Sequence, residues 1–577
     1  MPKDSDIETK TSINTNGSTT LTAVSLPSSL ESELAKLDSD ERFNRYVNEL
    51  GESYSSDTVS STKATTLRKN AIDAALANIK QSMMIDLCFV LDCTGSMKPH
   101  IAAAKDSILQ VAKHIQQTNP GFNTQLGFCG YRDFSNKDQR LQLFDFINSY
   151  KKFAKYVSTV LAIDNNDFAE DVLGGLNAAV NEMSWRNGTR IILHIGDYPP
   201  HGQRFYNKCS DLYPQGDPNG LTAEGVLESM QKKNILYCFG KITKYTDVMI
   251  NVFQSIIGVF PVFDLVGGDP IALIDKLKKA ACTAITSSVT LTSTLGTGND
   301  DIYSIRQKKL EMGTQEPKWD KALSHSGVVL WYSFPINLDR LKTRAYFTKE
   351  QLFSREFSFK MSKQPFSAGS EKYAYFGLDT TENPTQNVVI KEYLNIVYKT
   401  NPIEKYLETV EVSTIAAYLA TKFNSAIKRM KKVKKVKFVE TKLLRAVIGN
   451  RNKYYTVEQR FQGATFERFN VNSGVIVELR PVLEAFAHFT YEYTKHYLVV
   501  CDLQGVELTN EFLLTDPAIH CVDLLRFGKT NLGERGIEEC FLANHTCNDI
   551  CEKLGLYEPP RFSTVRRLLG CGSCCYT

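Results

Sequence analysis

The stretch "YLVVCDLQGVELTNEFLLTDPAIH", residues 497–520, runs from an apolar strand into acids, and through a second apolar run to another acid. Leu498–Cys501 reads as a buried strand, and Asp502 and Gln504 follow two residues apart at its end. Asp516 comes later, in "TDP". Side-chain oxygens so placed suit a magnesium ion whose cage is completed by nucleotide phosphates, where one or two protein ligands are usual. Asp516 is then available to take or orient the hydroxyl proton of an acceptor. Each acid alone is also what a turn or a helix cap uses. An upstream lysine gives them a chemical reading.

That lysine lies in "NVVIKEYL", residues 387–394, which alternates as a strand and puts Lys391 on the face of Val389 and Tyr393. A lysine on a covered face needs an anion, either a nucleotide phosphate or a structural partner such as Glu411 on the next helix. Before it, "FSAGSEKYAYFGL" sets Gly369 between two strand-like runs. This is a hairpin turn, or one through which backbone amides approach phosphate. After the acids, "FGKTNLGERGI" supplies Gly528, Gly533 and Gly536 in a loop suited to backbone or peptide. "NHTCNDICEKL", residues 544–554, offers His545, Cys547 and Cys551, soft donors spaced for zinc. A closed structural site takes four ligands. His488, His496, His520 and Cys540 are open as the fourth.

The first half has another texture. Strand-like runs "MIDLCFVLD", "NTQLGFCGYRDF", "TRIILHIGD", "NILYCFGKI" and "FPVFDLVGG" alternate with helical segments, the pattern of a parallel sheet covered on both faces. "VLDCTGS" carries Asp92, Thr94 and Ser96 at alternate positions past the first strand, and "IILHIGD" ends in Asp197. Strand ends of open α/β sheets are where ligands bind. These hard oxygens suit Mg²⁺ or Mn²⁺, the alternative being that Asp92 and Ser96 cap the next helix.

Length, at 577 residues, predicts two or three domains, and a net charge of +4 excludes a nucleic-acid binder overall. Fourteen cysteines, several inside apolar runs, predict reduced thiols and a cytoplasmic protein. No signal peptide or membrane-length apolar run is expected. We delimit a disordered polar start (1–30), a helical lead-in (31–83), an α/β domain (84–283), a linker (284–340), an α+β domain (341–562) and a basic, cysteine-rich tail (563–577). The tail's Cys571, Cys574 and Cys575 beside Arg566 and Arg567 predict a peripheral membrane contact through lipidation. "KRMKKVKKVKF", residues 428–438, reads as a solvated basic face, or as an attractor of acidic substrate or anionic lipid.

The pattern Asp-x-Thr-x-Ser with a later strand-end Asp resembles the metal-ion-dependent adhesion site of von Willebrand factor A domains. The resemblance implies a doubly wound sheet whose ion accepts a partner protein's carboxylate. The family's third loop usually supplies a Thr. The equivalent "DNNDFAEDVLGG" has none, leaving Asp167 or Glu170 for the role. In the second half the order of glycine turn, strand lysine, "DLQG", "TDP", glycine loop and "HTCNDIC" resembles the atypical alpha-kinase family of Ser/Thr protein kinases. That resemblance implies a two-lobed fold with structural zinc on His488, His545, Cys547 and Cys551, the helix "AFAHFTYEY" supplying the fourth ligand. It further implies ATP and Mg²⁺ as cofactors, Lys391 on phosphate, Glu458 at the adenine-side hinge, Asp502 and Gln504 on Mg²⁺, and Asp516 as catalytic acid or base. Asp502 and Lys391 are counted with it in the catalytic set. Gly369, Gly528, Gly533 and Gly536 join the binding set, although Thr530 replaces the usual small residue in that loop. The segment between "DLQG" and "TDP" is longer than in the family, enough to displace Asp516. Relatives imply protein substrates, including coiled coils such as myosin heavy chain. A catalytically inactive scaffold is the competing expectation.

Overall fold

The computed structural model describes residues 61–556, apart from 120, 165–166, 207–209, 267–277, 279–281, 283, 287, 290–311, 314, 344–345, 348–350, 370, 395–402 and 449–450. The polar start, the first half of the lead-in and the cysteine-rich tail lie outside the described residues. The chain divides into two compact units, one made of Ala74–Lys309 with residues 475–477, the other of the remainder. Helix α1 (Ser61–Ser82) belongs to the second unit up to Asp73.

The first unit is built on strands β1 (Met84–Asp92), β2 (Asn123–Tyr131), β3 (Leu141–Ile147), β4 (Thr189–Gly196), β5 (Ile235–Lys241) and β6 (Val262–Asp264). Helices α2 (Ile101–Thr118), α3 (Tyr150–Ser158), α4 (Val172–Asn181), α5 (Ala223–Lys232) and α6 (Asp247–Ile257) connect or follow them. The sheet order is β3-β2-β1-β4-β5-β6, parallel except for β2–β3. Strand β1 is buried almost throughout because helices cover both faces, so "LCFVL" carries no alternation. The chain leaves β1 outward to β2 and β3, then returns to β4 on its other side. That reversal is a topological switch point, and it brings the carboxyl ends of β1 and β4 side by side.

The second unit starts earlier than residue 341. Strand β7 (Ser324–Tyr332), inside the expected linker, pairs with both β8 (Leu352–Met361) and β13 (Lys442–Ile448). Its signal was the apolar run "GVVLWY". With β9 (Ser367–Ala368), β10 (Lys372–Asp379), β11 (Gln386–Tyr393) and β14 (Arg451–Gln459) it forms a sheet of order β11-β14-β13-β7-β8-β10-β9, and the β10–β11 pairing closes the ring. Closure removes the long unpaired edges of an open sheet. Val388, Ile390, Tyr375, Leu444 and Val457 fill one core cluster of this sheet.

Outside the ring, helix α8 (Ile403–Ala426), which follows α7 (Leu338–Lys342), packs with α9 (Pro481–Tyr493) around a larger core containing Tyr406, Ile415, Phe423, Phe486 and Leu498. Strands β12 (Lys435–Phe438), β15 (Phe466–Arg468), β17 (Gln504–Glu507) and β18 (Glu511–Thr515) form a four-stranded sheet, and β16 (Leu498–Cys501) pairs with β19 (Ala518–Cys521). The basic run 428–438 ends in β12, where Val436 is buried, Lys437 pairs with Glu511, and Lys434 just before it pairs with Glu507. Helix α10 (Asp549–Lys553) ends the described chain. Among the described residues no helix is long and apolar enough to cross a membrane.

Candidate active site

Strand periodicity assembles the cationic half of the site. In the antiparallel pairs around β11, Lys391 faces Ala374 and Thr456, while Lys372 faces Tyr393 and Glu458 faces Val389. Residues two apart share a face, so Lys372, Lys391 and Glu458 project to the same side, opposite Ile390 in the ring's core. The Lys391 Nζ lies 2.5 Å from Glu458 Oε1 and 2.5 Å from Asp516 Oδ2, and it donates to Thr515 Oγ1 at 3.3 Å. Lys372 Nζ holds the other Asp516 oxygen at 3.2 Å. Thr515 in turn donates to Glu458 Oε2 at 2.7 Å.

Glu458 is the buried partner of Lys391, because its strand neighbours β11 and turns the carboxylate onto the lysine's face. Two expectations are corrected here. Glu411, offered as a partner for Lys391, pairs instead with Arg526 at 2.9 Å. The longer segment before "TDP" forms the β17–β18 hairpin and does not displace Asp516. Lys372 was missed. Its signal was available, since it sits two positions before Ala374 in the strand that pairs with Lys391.

Burial alone would raise the Asp516 pKa, but Lys372 and Lys391 overcome it and hold the carboxylate well below the ordinary range. Glu458 is pushed up, chiefly by burial, with Lys391 opposing and the Asp516 charge adding to the rise. Asp502 is likewise raised by burial, opposed by Arg468. Its Oδ1 is buried with no hydrogen-bond partner, and the Arg468 Nε lies 3.5 Å away. The same guanidinium donates to Gln504 Oε1 at 3.1 and 3.3 Å. A cation therefore already sits against both residues expected to hold magnesium, and an orphaned carboxylate oxygen beside it fits a metal ligand. Asp502 and Asp516 both adopt left-handed backbone, φ 54° and 46°, a sparsely populated state for residues with side chains and one that clusters at working sites.

The glycines divide. Gly369 closes the β9–β10 turn through its amide to the Lys372 carbonyl, 2.9 Å. Gly528, at φ 72°, lies against Glu408 and Lys405. Gly533 and Gly536 are buried against Leu524, Leu532 and His520, so they serve packing rather than a nucleotide.

At the end of the chain, Asn548 caps α10 by accepting from the amides of Ile550 and Cys551, and its side-chain amide donates to the Pro481 carbonyl at the start of α9. This brings Cys547 and Cys551 to His488 on α9. Cys547 Sγ lies 3.6 Å from His488 Nδ1 and 3.7 Å from His545 Nε2, and Cys551 Sγ lies 3.9 Å from His545 Nε2. One ligand atom from each of the four residues falls within 4.8 Å of the others. Tetrahedral zinc with ordinary Zn–S and Zn–N bonds separates S from N by about 3.6 Å. The four donors fit such an ion. His520, a rival fourth ligand, instead contacts the Asn472 carbonyl through Nε2.

In the first unit, Asp92 and Asp197 meet at the switch point. Thr94 Oγ1 donates to Asp92 Oδ1 at 2.6 Å, Ser96 Oγ donates to Asp197 Oδ1 at 3.1 Å, and the two hydroxyls are 3.1 Å apart. Asp92 is raised well above its ordinary value by burial and by the Asp197 charge. Two buried carboxyls facing each other among hydroxyls fit a divalent cation. Helix capping by Asp92 or Ser96 is not what the structure shows, for His100 precedes α2 without a side-chain cap. Of the third-loop alternatives, Asp167 accepts from the Leu212 amide and faces His201, while Glu170 adds its charge to those of Asp92 and Asp197 around Tyr131.

A second cluster went unread in the sequence. His201 Nε2 lies 2.8 Å from Asp133 Oδ1, and its Nδ1 lies 2.8 Å from Asp211 Oδ1. Both contacts are hydrogen bonds only for the imidazolium. Burial would lower the His201 pKa, but bonds to Asp133 and Asp211 raise it; Asp133, raised by burial, ends below its ordinary value through His201. A raised histidine stabilises fully below its unfolded value and loses that contribution as pH rises through its folded value. A depressed aspartate loses its contribution only as pH falls through its own lowered value. The difference in melting temperature between wild type and His201→Gln is therefore expected to be largest at about pH 4–6.5 and to shrink above it. Calorimetric melts across that range measure it.

Comparison with known proteins matches the family model described as "Alpha-kinase family" to residues 367–551. Alpha-protein kinase vwkA of Dictyostelium discoideum is 30% identical over 506 residues, covering 85% of this chain and 80% of that protein. This chain belongs to the alpha-kinase family. Myosin heavy chain kinase B of the same organism is 33% identical over 198 residues, 34% of this alpha-kinase and 25% of that relative. Rat eukaryotic elongation factor 2 kinase is 31% identical over 212 residues, 35% and 27% of the two chains. Among solved structures, an alpha kinase from Entamoeba histolytica covers 44% of this chain and 95% of its own at 28% identity and a TM-score of 0.36. The protein is a Ser/Thr protein kinase, and Lys391, Asp502, Gln504 and Asp516, one of which an inactive scaffold is expected to lose, are all present.

Proposed function

We propose that this kinase transfers the γ-phosphoryl group of Mg·ATP to Ser or Thr of helical, coiled-coil protein targets, myosin heavy chain among them. In this reading its first unit is a metal-dependent von Willebrand factor A-type domain that places the target. The observation that carries the catalytic part is the double grip of Lys372 and Lys391 on Asp516. With lysines on both oxygens the carboxylate is a weak base. Phosphates entering beside the strands compete for the two ammonium groups, and as these turn away the Asp516 carboxyl regains basicity next to the acceptor hydroxyl. Lys391 keeps Glu458 as its second partner, which orients it throughout. Asp502 and Gln504 would hold the magnesium ion, which when bound neutralises phosphate charge. His488, His545, Cys547 and Cys551 would hold zinc as a structural staple.

Asp92, Thr94, Ser96 and Asp197 would hold Mg²⁺ or Mn²⁺ for a partner's carboxylate. A cytoplasmic location, with the tail as peripheral membrane contact, completes the proposal. The myosin heavy chain target draws on the name of the myosin heavy chain kinase B relative, and the coiled-coil preference on the family resemblance. Labelled phosphate transfer to a two-stranded myosin tail fragment and to a globular acceptor tests it; equal rates on both would remove the preference. For the first unit, Asp92→Asn is expected to weaken Mn²⁺ binding by at least about tenfold in calorimetric titration, because it removes one of the two buried carboxyls that would ligate the ion. Unaltered binding would place the ion elsewhere.

A further inference from the structure

Four backbone carbonyls of the second unit converge on one buried guanidinium from far upstream. Arg68, in the first half of α1, donates from Nε to Leu524 at 3.3 Å. Its Nη2 donates to the carbonyls of Gly528 at 3.1 Å, Lys529 at 3.2 Å and Asn531 at 2.5 Å. The two hydrogens of Nη2 serve three carbonyls, one of them shared, while Nε–H reaches the fourth, and a single ammonium nitrogen cannot occupy both positions at once. Four residues on, Ile72 lies on the same helical face and packs near Gly533, and the next residue, Asp73, pairs with Arg535.

The turn that Arg68 grips is not relaxed. Phe527 has φ 66° and Gly528 φ 72°. A left-handed aromatic residue is a conformation that its surroundings must impose. Asn531 imposes it from one side, donating to the carbonyls of Asp523 and Arg526 and accepting from the amides of Cys521 and Gly533. Arg68 imposes it from the other. The turn also borders the chemistry. Lys529 Nζ lies 3.0 Å from Glu371 Oε1, and the next residue, Lys372, holds Asp516. Among the groups lowering the Glu371 pKa against its burial, Lys529 is the largest, ahead of Lys405 and Lys372.

We propose that Arg68 is a positioning residue for phosphoryl transfer. It locks the 524–531 turn so that Lys529 meets Glu371 beside Asp516, and thereby sets how well the protein acceptor is held there. The acceptor part rests on Asp516 being the group that the acceptor hydroxyl approaches. The lock itself does not.

The test uses the full chain with Arg68→Lys, which keeps the charge but loses the fork, and Arg68→Met. Hydrogen exchange over residues 522–533 is expected to quicken about tenfold in the Met variant and less in the Lys variant. With myelin basic protein as acceptor, the acceptor KM is expected to rise about tenfold while the ATP KM changes by less than about twofold. Unchanged exchange overturns the lock whether or not the enzyme is active. Faster exchange with an unchanged acceptor KM, or with both KM values rising together, overturns the positioning role. Wild-type protein that transfers no phosphate overturns the acceptor part while exchange still judges the lock. Should the Met variant fail to fold, the Lys variant carries both readouts.

Discussion

Asp516→Asn is expected to lower kcat by about 10³-fold while the ATP KM stays level or falls. The substitution keeps shape and removes the one charge that both lysines share. Without it, Lys372 and Lys391 lose nothing needed for phosphate, so nucleotide is held at least as well. The group next to the acceptor hydroxyl, however, can no longer take a proton. Lys391→Ala separates from this cleanly. It strands Glu458, buried and without its cation, which costs on the order of 3–5 kcal/mol of stability, and it weakens both nucleotide affinity and turnover. Steady-state kinetics with both substrates, beside melting curves, distinguish the two patterns. An Asn variant with wild-type kcat would leave the two-lysine grip a structural ion-pair network with no catalytic role.

Cys551→Ser is expected to cost the second unit its zinc and its cooperative melting. Structural zinc sites contribute about 10–16 kcal/mol of apparent binding energy, comparable to the whole stability of a domain at about 5–15 kcal/mol. The site joins α9 to α10 across the start of the unit's largest core, so losing one thiolate loosens both helices. Elemental analysis should find about one zinc per chain in wild type and little in the variant. A chelator should lower the wild-type melting temperature toward that of the variant. Wild-type protein with no zinc, or a variant that melts alike, would show that His488, His545, Cys547 and Cys551 are held by packing alone.

Much of this was legible along the chain. "LCFVL" and "IILHIGD" announce buried parallel strands, and a strand-end Asp on each reads as a pair once the switch point is expected. "HTCNDIC" reads as a close set of soft donors from spacing alone, and the structure brings His545, Cys547 and Cys551 together with His488. Lys391 is visible as a lysine on a covered face, since alternation along one strand is a local property. Strand β7 carries a local apolar run, "GVVLWY", inside a segment of low apolar density, but only its pairing with β8 and β13 reveals it as central to the ring.

What local pattern determined, then, is which way each side chain points and what chemistry it carries at a strand end or helix start. What only tertiary structure decided is who meets whom. Glu458 on Lys391, Lys372 on Asp516, His201 between Asp133 and Asp211, and Arg68 on the 524–531 turn all join residues from different elements. Such partnerships depend on strand register and sheet closure, which are settled by burying apolar faces over the whole unit, and no window of neighbouring residues contains that information.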